Sequence, residues 1–498
     1  MDRYERQDQM NSFQVDYEQY LNRIGIKIMP SLQQTIATIV NETNWDEPET
    51  PFDFNNIAVM SLIEAVSSDD LSLRGLYLET AFEAIESAGD WPLAVAHGAI
   101  IYGLLGQTNV AQQILFPIIL RSITELAPDS KGLIFLPTPL AIDPNLAIIR
   151  LLTALNSDQQ AVLLSAIGLI QSQPIFYNST GQRFLNLASK FFPESPHISL
   201  KQGLSLLMSS ALEGWIDLHQ AIAKAPENSD ILKRSQLAIE IAQRDFQPEF
   251  TTDSSSITVP FDGLQMAIEP SLRSIVTGVL LGAEDWFETE MEFWRSRLQP
   301  GMTVIDVGAN AGVYTFSAAQ KVGEMGKVIA IEPFTGCVNL LQETCRINQL
   351  SQVKICHGAA SDRPGKSKLL LQASSELNEL SDRDLPEGTY EEVQCFTLDS
   401  LIESYELDRI DFLKIDAEGH EVPVLQGSDR ILSEFRPVIL YENIAGSQGS
   451  NLPVAELLIS KQYDLFTYQP FIQQLLPVVE LESLAGNLNV IAVPRRID

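Results

Sequence analysis

At 498 residues the chain exceeds one ordinary domain and fits two large domains or about three of average size. Its composition, 45% hydrophobic and 20% charged, is that of a globular protein and excludes wholesale disorder, a collagen-like repeat and a coiled-coil rod. Acidic side chains outnumber basic ones 65 to 33, a formal net charge of −32, so a polyanion is repelled at long range and neither nucleic acid nor an anionic membrane is an expected partner.

The chain opens MDRYERQDQMNSF, too charged for a secretory signal. Apolar runs stay short: residues 141–155 (AIDPNLAIIRLLTAL) are interrupted by Asp143, Pro144 and Arg150, and no stretch approaches the roughly 18 to 20 apolar residues of a membrane span. The cysteines, Cys337, Cys345, Cys356 and Cys395, form no CxxC and no metal-like spacing with histidine. Reduced thiols in a cytoplasmic protein are the simplest expectation.

Up to about residue 250, apolar residues recur at helical spacing. Residues 71–123 read as paired helices, with breaks at Ala88-Gly89-Asp90-Trp91-Pro92 and at Gly106-Gln107-Thr108-Asn109. A last helix over residues 110–126 carries Pro117 as a kink candidate and closes at Ala127-Pro128-Asp129. The pattern returns as residues 203–212, Glu213-Gly214, residues 215–225, Pro226-Glu227-Asn228 and residues 231–242. These pairs resemble tetratricopeptide-type helical hairpins, although the consensus positions are not cleanly filled. Residues 1–250 are therefore expected to form an all-α helical-repeat-like domain that binds substrate or a protein partner. The polar stretch 251–256 (TTDSSS) is the linker candidate, with a surface loop as the other reading.

Beyond it, strand and helix signals alternate. Strands are expected at 303–307, 328–331, 353–357, 368–371, 393–396, 410–415, 438–441, 464–467 and 488–493. Helices are expected at 313–322, 337–347, 422–435 and 453–461. Alternation of this kind indicates an α/β domain on a mostly parallel sheet.

The most informative segment runs from Thr303 to Thr315 (TVIDVGANAGVYT). A buried strand ends in an acidic residue, and a two-glycine loop then opens a helix. Glycines permit close backbone approach, and a helix N-terminus offers free N–H groups. A carboxylate at Asp306 repels a pyrophosphate but suits an ammonium group, which favours S-adenosylmethionine over a dinucleotide. Gly308 and Gly312 are four apart, unlike the dinucleotide G-x-G-x-x-G, and no Gly-Lys-Ser/Thr follows. A tight ligand-free turn is the bland reading. The second strand ends at Glu332, placed to accept both ribose hydroxyls, a device that nicotinamide sites share. The third runs into Ala359-Ala360-Ser361-Asp362, where small residues leave room for a flat base and Ser361 or Asp362 can meet an adenine amino group. A plain turn explains that segment equally well.

A second ionisable cluster runs from Arg409 to Glu421 (RIDFLKIDAEGHE). If the strand persisted, Lys414, Asp416 and Glu418 would share a face, and Asp416 would point to the same crevice as Asp306. Lys414 reads as an ion-pair partner orienting Asp416. Glu421 sits at a helix start, where a carboxylate offsets the dipole. His420 is a loop histidine, idle or catalytic.

These segments, with Thr397-Leu398-Asp399-Ser400-Leu401, resemble an FkbM-type methyltransferase domain over residues 257–498. The resemblance implies a class I fold, a doubly wound seven-stranded sheet with an antiparallel last strand. It also implies S-adenosylmethionine-dependent O-methylation of a sugar, glycan or natural-product hydroxyl. Asp306, Gly308, Asn310 and Gly312 would then hold the methionine part and Glu332 the ribose, while Ala360 and Ser361 remain cofactor-binding candidates from their own strand end. Asp416 and Glu418 would lie on the acceptor side. Ala311 departs mildly from the larger aliphatic residue common there. The acidic segment 374–392 is a candidate acceptor lid.

A hydroxyl acceptor must lose a proton, and Asp416 and His420 are the candidate general bases. A divalent cation such as magnesium, held by Asp416, Glu418 and a further carboxylate, is the other route. The rival function is a cofactor-binding but non-catalytic helical-repeat scaffold. A nicotinamide dehydrogenase is a weaker rival.

Overall fold

The structure, a computed structural model, describes residues 3–105, 107, 110, 111, 113–115, 117, 131–136, 157–172, 176–246, 256–372, 374–381, 383, 386–444 and 450–496. The expected break at 106–109 except Gln107, most of the helix at 110–126 with its 127–129 closure, and all of the linker candidate but Ser256 lie outside the described residues. The chain divides into two compact units, Met1–Ile239 and Glu240–Asp498.

The first unit is helical: α1 (Arg3–Arg23), α2 (Pro30–Glu42), α3 (Pro51–Ser67), α4 (Leu71–Ala88), α5 (Pro92–Leu104), α6 (Ser157–Ser172), α7 (Ser179–Phe191), α8 (Pro196–Met208), α9 (Gly214–Lys224) and α10 (Asp230–Phe246), whose last residues, from Glu240, belong to the second unit. Local chemistry starts several of them. The Thr50 side chain accepts from Asp53 N while the Asp53 carboxylate accepts from Thr50 N, and Pro51 occupies the first turn of α3. The α8–α9 hairpin is closer than side chains allow: a Cβ on Gly203 would lie 2.9 Å from Gly214 O, and one on Gly214 2.6 Å from Gly203 O.

An extended segment, residues 131–136, is buried within this unit, with Leu133, Ile134, Phe135 and Leu136 fully enclosed. Its backbone is satisfied by side chains instead of by a ladder. Leu133 N donates to Asn56 Oδ1 (2.8 Å), Ile134 N to Tyr17 Oη (3.1 Å), Phe135 N to His97 Nε2 (3.1 Å) and Leu136 N to Tyr20 Oη (2.5 Å). The two tyrosine hydroxyls donate back to Ile134 O and Leu136 O. Burial lowers the His97 pKa to about 3, so the imidazole is neutral and free to accept.

The second unit opens with the hairpin β1 (Ile257–Phe261) and β2 (Leu264–Ile268), then α11 (Ile275–Ala283) and α12 (Glu290–Arg297). The alternating pattern then delivers β3 (Thr303–Val307), α13 (Val313–Val322), β4 (Lys327–Glu332), α14 (Thr335–Asn348) and β5 (Val353–His357). After β6 (Ala359–Ala360), β7 (Gly365–Leu370), β8 (Glu379–Ser381) and β9 (Tyr390–Phe396) come α15 (Ser400–Ser404), β10 (Phe412–Ile415), α16 (Glu421–Gln426) and β11 (Val438–Glu442). α17 (Leu452–Ser460), β12 (Tyr463–Gln469), β13 (Gln474–Pro477) and β14 (Asn489–Pro494) complete it.

The main sheet has the order β13-β12-β14-β11-β10-β3-β4-β5. β5, β4, β3, β10 and β11 are mutually parallel, and β14 is antiparallel to both β11 and β12. The expected sheet, seven-stranded and with an antiparallel last strand, is therefore present; β13 adds an eighth at the edge by folding back on β12. The candidate lid contributes β8 and part of β9 to a separate four-stranded sheet, β6-β9-β7-β8. The single helix expected at 422–435 is instead α16 followed, after Gly427, by a short wide turn at Ile431–Phe435.

Ile305, Val307, Ile329, Ile331, Leu413, Ile415, Ile439 and Tyr441 fill the core of this unit. Burying each such side chain is worth about 1.5–3 kcal/mol. The chain winds outward from β3 to β5 and returns to wind the other way from β10 to β11. The crevice beyond the carboxyl ends of β3 and β10 is the place where such sheets bind ligands.

Candidate functional site

In the sheet register Asp306 lies between Lys414 of β10 and Ala330 of β4. Asp306 is fully buried. Thr315 Oγ1 donates to its Oδ2 (2.6 Å), while Oδ1 has no hydrogen bond among the described residues and lies 3.9 Å from Lys414 Nζ. Lys414 donates to Asp416 Oδ2 at 2.9 Å and rests over the Tyr314 ring at 4.8 Å. Burial alone would lower the Lys414 pKa, but Asp416, Asp306 and Glu288 outweigh it and hold the ammonium charged. Burial raises the Asp306 pKa, opposed chiefly by Lys414 and by Thr315. The expected pairing of Lys414 with Asp416 is thus present, and it extends to Asp306.

Behind this row stands Glu288, just before α12. It accepts from Tyr314 Oη (2.6 Å), Trp286 Nε1 (2.9 Å) and Asn489 Nδ2 (2.8 Å), and burial raises its pKa. Nothing in the local sequence around Glu288 marks it, because its partners include residues of β14 and α13.

The loop after β3 is fixed by contacts within the protein. Gly308 has φ +74°, and a Cβ there would lie 1.7 Å from Asp416 O, so the β3 and β10 loops touch backbone to backbone. Asn310 is also left-handed, and its N–H donates to Glu332 Oε2 at 2.8 Å. Gly312 (φ +102°) packs against Phe316 and Leu341, which occupy the space a side chain would need. The other Glu332 oxygen accepts from Phe334 N at 2.8 Å. Burial pushes the Glu332 pKa up to about 7 against the pull of these two amides.

Ala360 is buried in β6. Ser361, next to it, anchors through its N–H to Phe396 O (2.8 Å), and its Oγ lies 3.0 Å from His420 Nε2 and 3.2 Å from Asp362 Oδ1. A residue assigned to the base of the cofactor and one assigned to proton transfer are therefore hydrogen-bonded neighbours.

β10 ends at Ile415, so Glu418 does not share a strand face with Lys414. The chain turns instead, with Glu418 at φ +49° and Gly419 at φ +92°. The turn brings Glu418 to Asp416 and to Glu442 at the end of β11, with carboxylate oxygens of all three within 4.8 Å of one another. Burial and the Asp416 charge raise the Glu418 pKa to about 8, and burial together with Asp416, Glu418 and Glu421 raises that of Glu442 much further. Sequence reasoning anticipates a further carboxylate here without identifying Glu442. A signal for it exists, since Glu442 follows the apolar run 438–441 as Asp416 follows β10. Glu421 is fully buried and accepts from Ala417 N and Gly419 N, both at 3.0 Å.

The four cysteines are free thiols, and no helix among the described residues is long and apolar enough to cross a membrane.

Residues 306–465 match the methyltransferase FkbM domain. A curated relative, methyltransferase sdnD of Sordaria araneosa, is 27% identical over 32% of this chain and 73% of its own length. Among solved structures, the FkbM methyltransferase of Methylobacillus flagellatus is 16% identical, covering 55% of this chain and 65% of its own, with a TM-score of 0.27. An O-methyltransferase of Bacillus cereus in complex with SAH is likewise 16% identical, over 43% of this chain and 84% of its own, with a TM-score of 0.26. The chain thus carries a methyltransferase FkbM domain at residues 306–465.

Proposed function

We propose that this chain transfers a methyl group from S-adenosylmethionine to a hydroxyl of a neutral or cationic small molecule, sugar or glycan. The observation that carries the proposal is the row Asp306–Lys414–Asp416, which joins the cofactor-side loop to an acid-rich strand end.

The cofactor's chemistry fits the donor set. Its ammonium and sulfonium are cationic and its ribose is a diol, while the loop ends present Asp306 with one oxygen lacking a hydrogen bond and Glu332 at the end of β4. In this reading Asp306, Gly308, Asn310 and Gly312 hold the methionine part, Glu332 the ribose, and Ala360 and Ser361 the base. S-adenosylmethionine supplies an electrophilic methyl carbon when bound.

The chain's own part is alignment and proton management. Asp416, held by Lys414, takes the acceptor hydroxyl's proton, and His420 is the second candidate. Glu418 and Glu442 sit beside it with raised pKa values and keep the surroundings acidic and partly protonated. If a divalent cation served instead, Asp416, Glu418 and Glu442 would hold it and lower the hydroxyl's pKa. Glu288, Asp306 and Asp416 already engage the buried Lys414, and Glu418 and Glu442 lie beside Asp416, an arrangement that disfavours a phosphorylated or carboxylated acceptor. The first unit recruits the acceptor or a protein partner.

The test is incubation of the full chain with methyl-labelled S-adenosylmethionine and a metabolite extract, followed by mass spectrometry. Labelled, methylated neutral or basic metabolites are expected. Selective S-adenosylhomocysteine binding with no label transferred to any metabolite would favour the non-catalytic scaffold.

A further inference from the structure

We infer that Glu421 is a positioning residue for methyl transfer: its buried carboxylate holds the loop that carries Asp416 and Glu418 against the cofactor-side glycine loop. This rests on the transfer reading above.

Asp416 begins a loop with two consecutive left-handed residues, Glu418 and Gly419. Such a turn is strained at its non-glycine position and persists only when its surroundings over-determine it. Glu421 supplies that determination. One oxygen, Oε1, accepts from both Ala417 N and Gly419 N, so the amides flanking Glu418 converge on a single acceptor. The other, Oε2, accepts from Asn451 Nδ2 at 2.9 Å.

Asn451 carries the restraint onward. Its N–H donates to Asn443 Oδ1 at 3.1 Å, and the fully buried Asn443 amide donates to Leu484 O (2.9 Å) and Asn487 O (2.8 Å). Asn443 directly follows Glu442. One chain of hydrogen bonds therefore runs from the Asp416 loop to the strand end that bears the third carboxylate. On the other side, the Asp416 carbonyl fills the space over Gly308. Movement of the loop would shift the acceptor-side carboxylates and press on the glycine loop together. Dipole compensation at the start of α16 does not account for two amides inside the preceding loop.

Glu421→Met and Glu421→Gln separate positioning from space-filling, because both occupy the volume and only Gln can still accept the two amides. With Met, amide exchange at Ala417 and Gly419 should rise by about tenfold or more, the equivalent of one lost hydrogen bond. Label transfer into the metabolite extract should fall by about 10²-fold, as for a misplacement of about 1 Å. Affinity for S-adenosylhomocysteine should stay near wild type. Gln should restore most of both losses. Asn451→Ala should show the same signature more weakly, and it decides the matter if the Met variant does not fold. Equal behaviour of Met and Gln, or unchanged exchange in both Met and Asn451→Ala, would overturn the inference. A wild-type chain that transfers no label overturns the transfer reading instead, and loop exchange then still reports whether Glu421 holds the loop.

Discussion

Ser361 Oγ and His420 Nε2 lie 3.0 Å apart, so the segment after β5 and the loop after β10 are joined side chain to side chain. Contacting residues couple by about 0.5–3 kcal/mol. Ser361→Ala, His420→Ala and the double variant should therefore be non-additive in S-adenosylhomocysteine affinity, measured calorimetrically, with the double variant losing little more than the worse single one. Strict additivity would mean that the contact carries nothing.

Asp306 does not stand open to solvent; its nearest cation is Lys414. Removing one partner from a buried charged pair typically costs about 3–5 kcal/mol. Asp306→Ala should accordingly lower the thermal midpoint, not only the cofactor affinity. Asp306→Asn, which can still accept from Thr315, should fold and yet bind S-adenosylhomocysteine more weakly. A stable Ala variant with unchanged affinity would remove Asp306 from both roles.

The Glu332 carboxyl has a folded pKa of about 7, above its ordinary value of 4.5. A raised carboxyl binds more protons in the folded state, so its contribution to stability is present at low pH and is lost as pH rises from about 4.5 through about 7. Cofactor binding should run the other way if the ionised form takes the ribose hydroxyls: affinity for S-adenosylhomocysteine should rise across pH 7. Glu332→Gln should flatten that rise while weakening binding. A rise of the same size in the Gln variant would assign it to another group.

Asp416 should matter for turnover more than for cofactor affinity. Asp416→Asn can still accept from Lys414 but cannot take a proton, and loss of a general base typically costs about 10²–10⁴ in rate. Near-normal S-adenosylhomocysteine binding with that loss of label transfer is expected. In wild type, activity lost to a chelator and restored by magnesium would move the role to a cation held by Asp416, Glu418 and Glu442. Full turnover in the Asn variant would make Asp416 only structural.

A fragment of residues 257–498 should be soluble and bind S-adenosylhomocysteine without the helical region. One starting at residue 240 should melt higher, because Asp245 Oδ2 accepts from Leu272 N at 2.6 Å. Aggregation of both fragments would indicate that the two regions need each other to fold.

Much of the second unit was legible because its strands are buried runs bounded by turn residues. The expected 303–307 and 353–357 coincide with β3 and β5. The ion pair of Lys414 with Asp416 was legible because two-residue spacing at a strand end places side chains on one side. What escaped was long-range. Tyr314 and Asn489 converge on Glu288 from separate elements, and no local pattern announces that. Glu421 read as a dipole partner because its real donors lie in a loop whose left-handed turn no helix or strand period encodes. The edge strand β13 escaped because a four-residue strand carries too little alternation.

The segment 131–136 has a consequence for how the first unit reaches its native state. Helical proteins normally close contacts between near neighbours in sequence and fold fast for that reason. Here Tyr17 must find Ile134, 117 residues away, and Tyr20 must find Leu136, 116 away, before four consecutive backbone amides have partners. Loop closure on that scale precedes its reward. The helices can form early, but the unit becomes native only when this strand-like passage is clasped, so its refolding should be slow for an all-α unit and should end in one late, cooperative step.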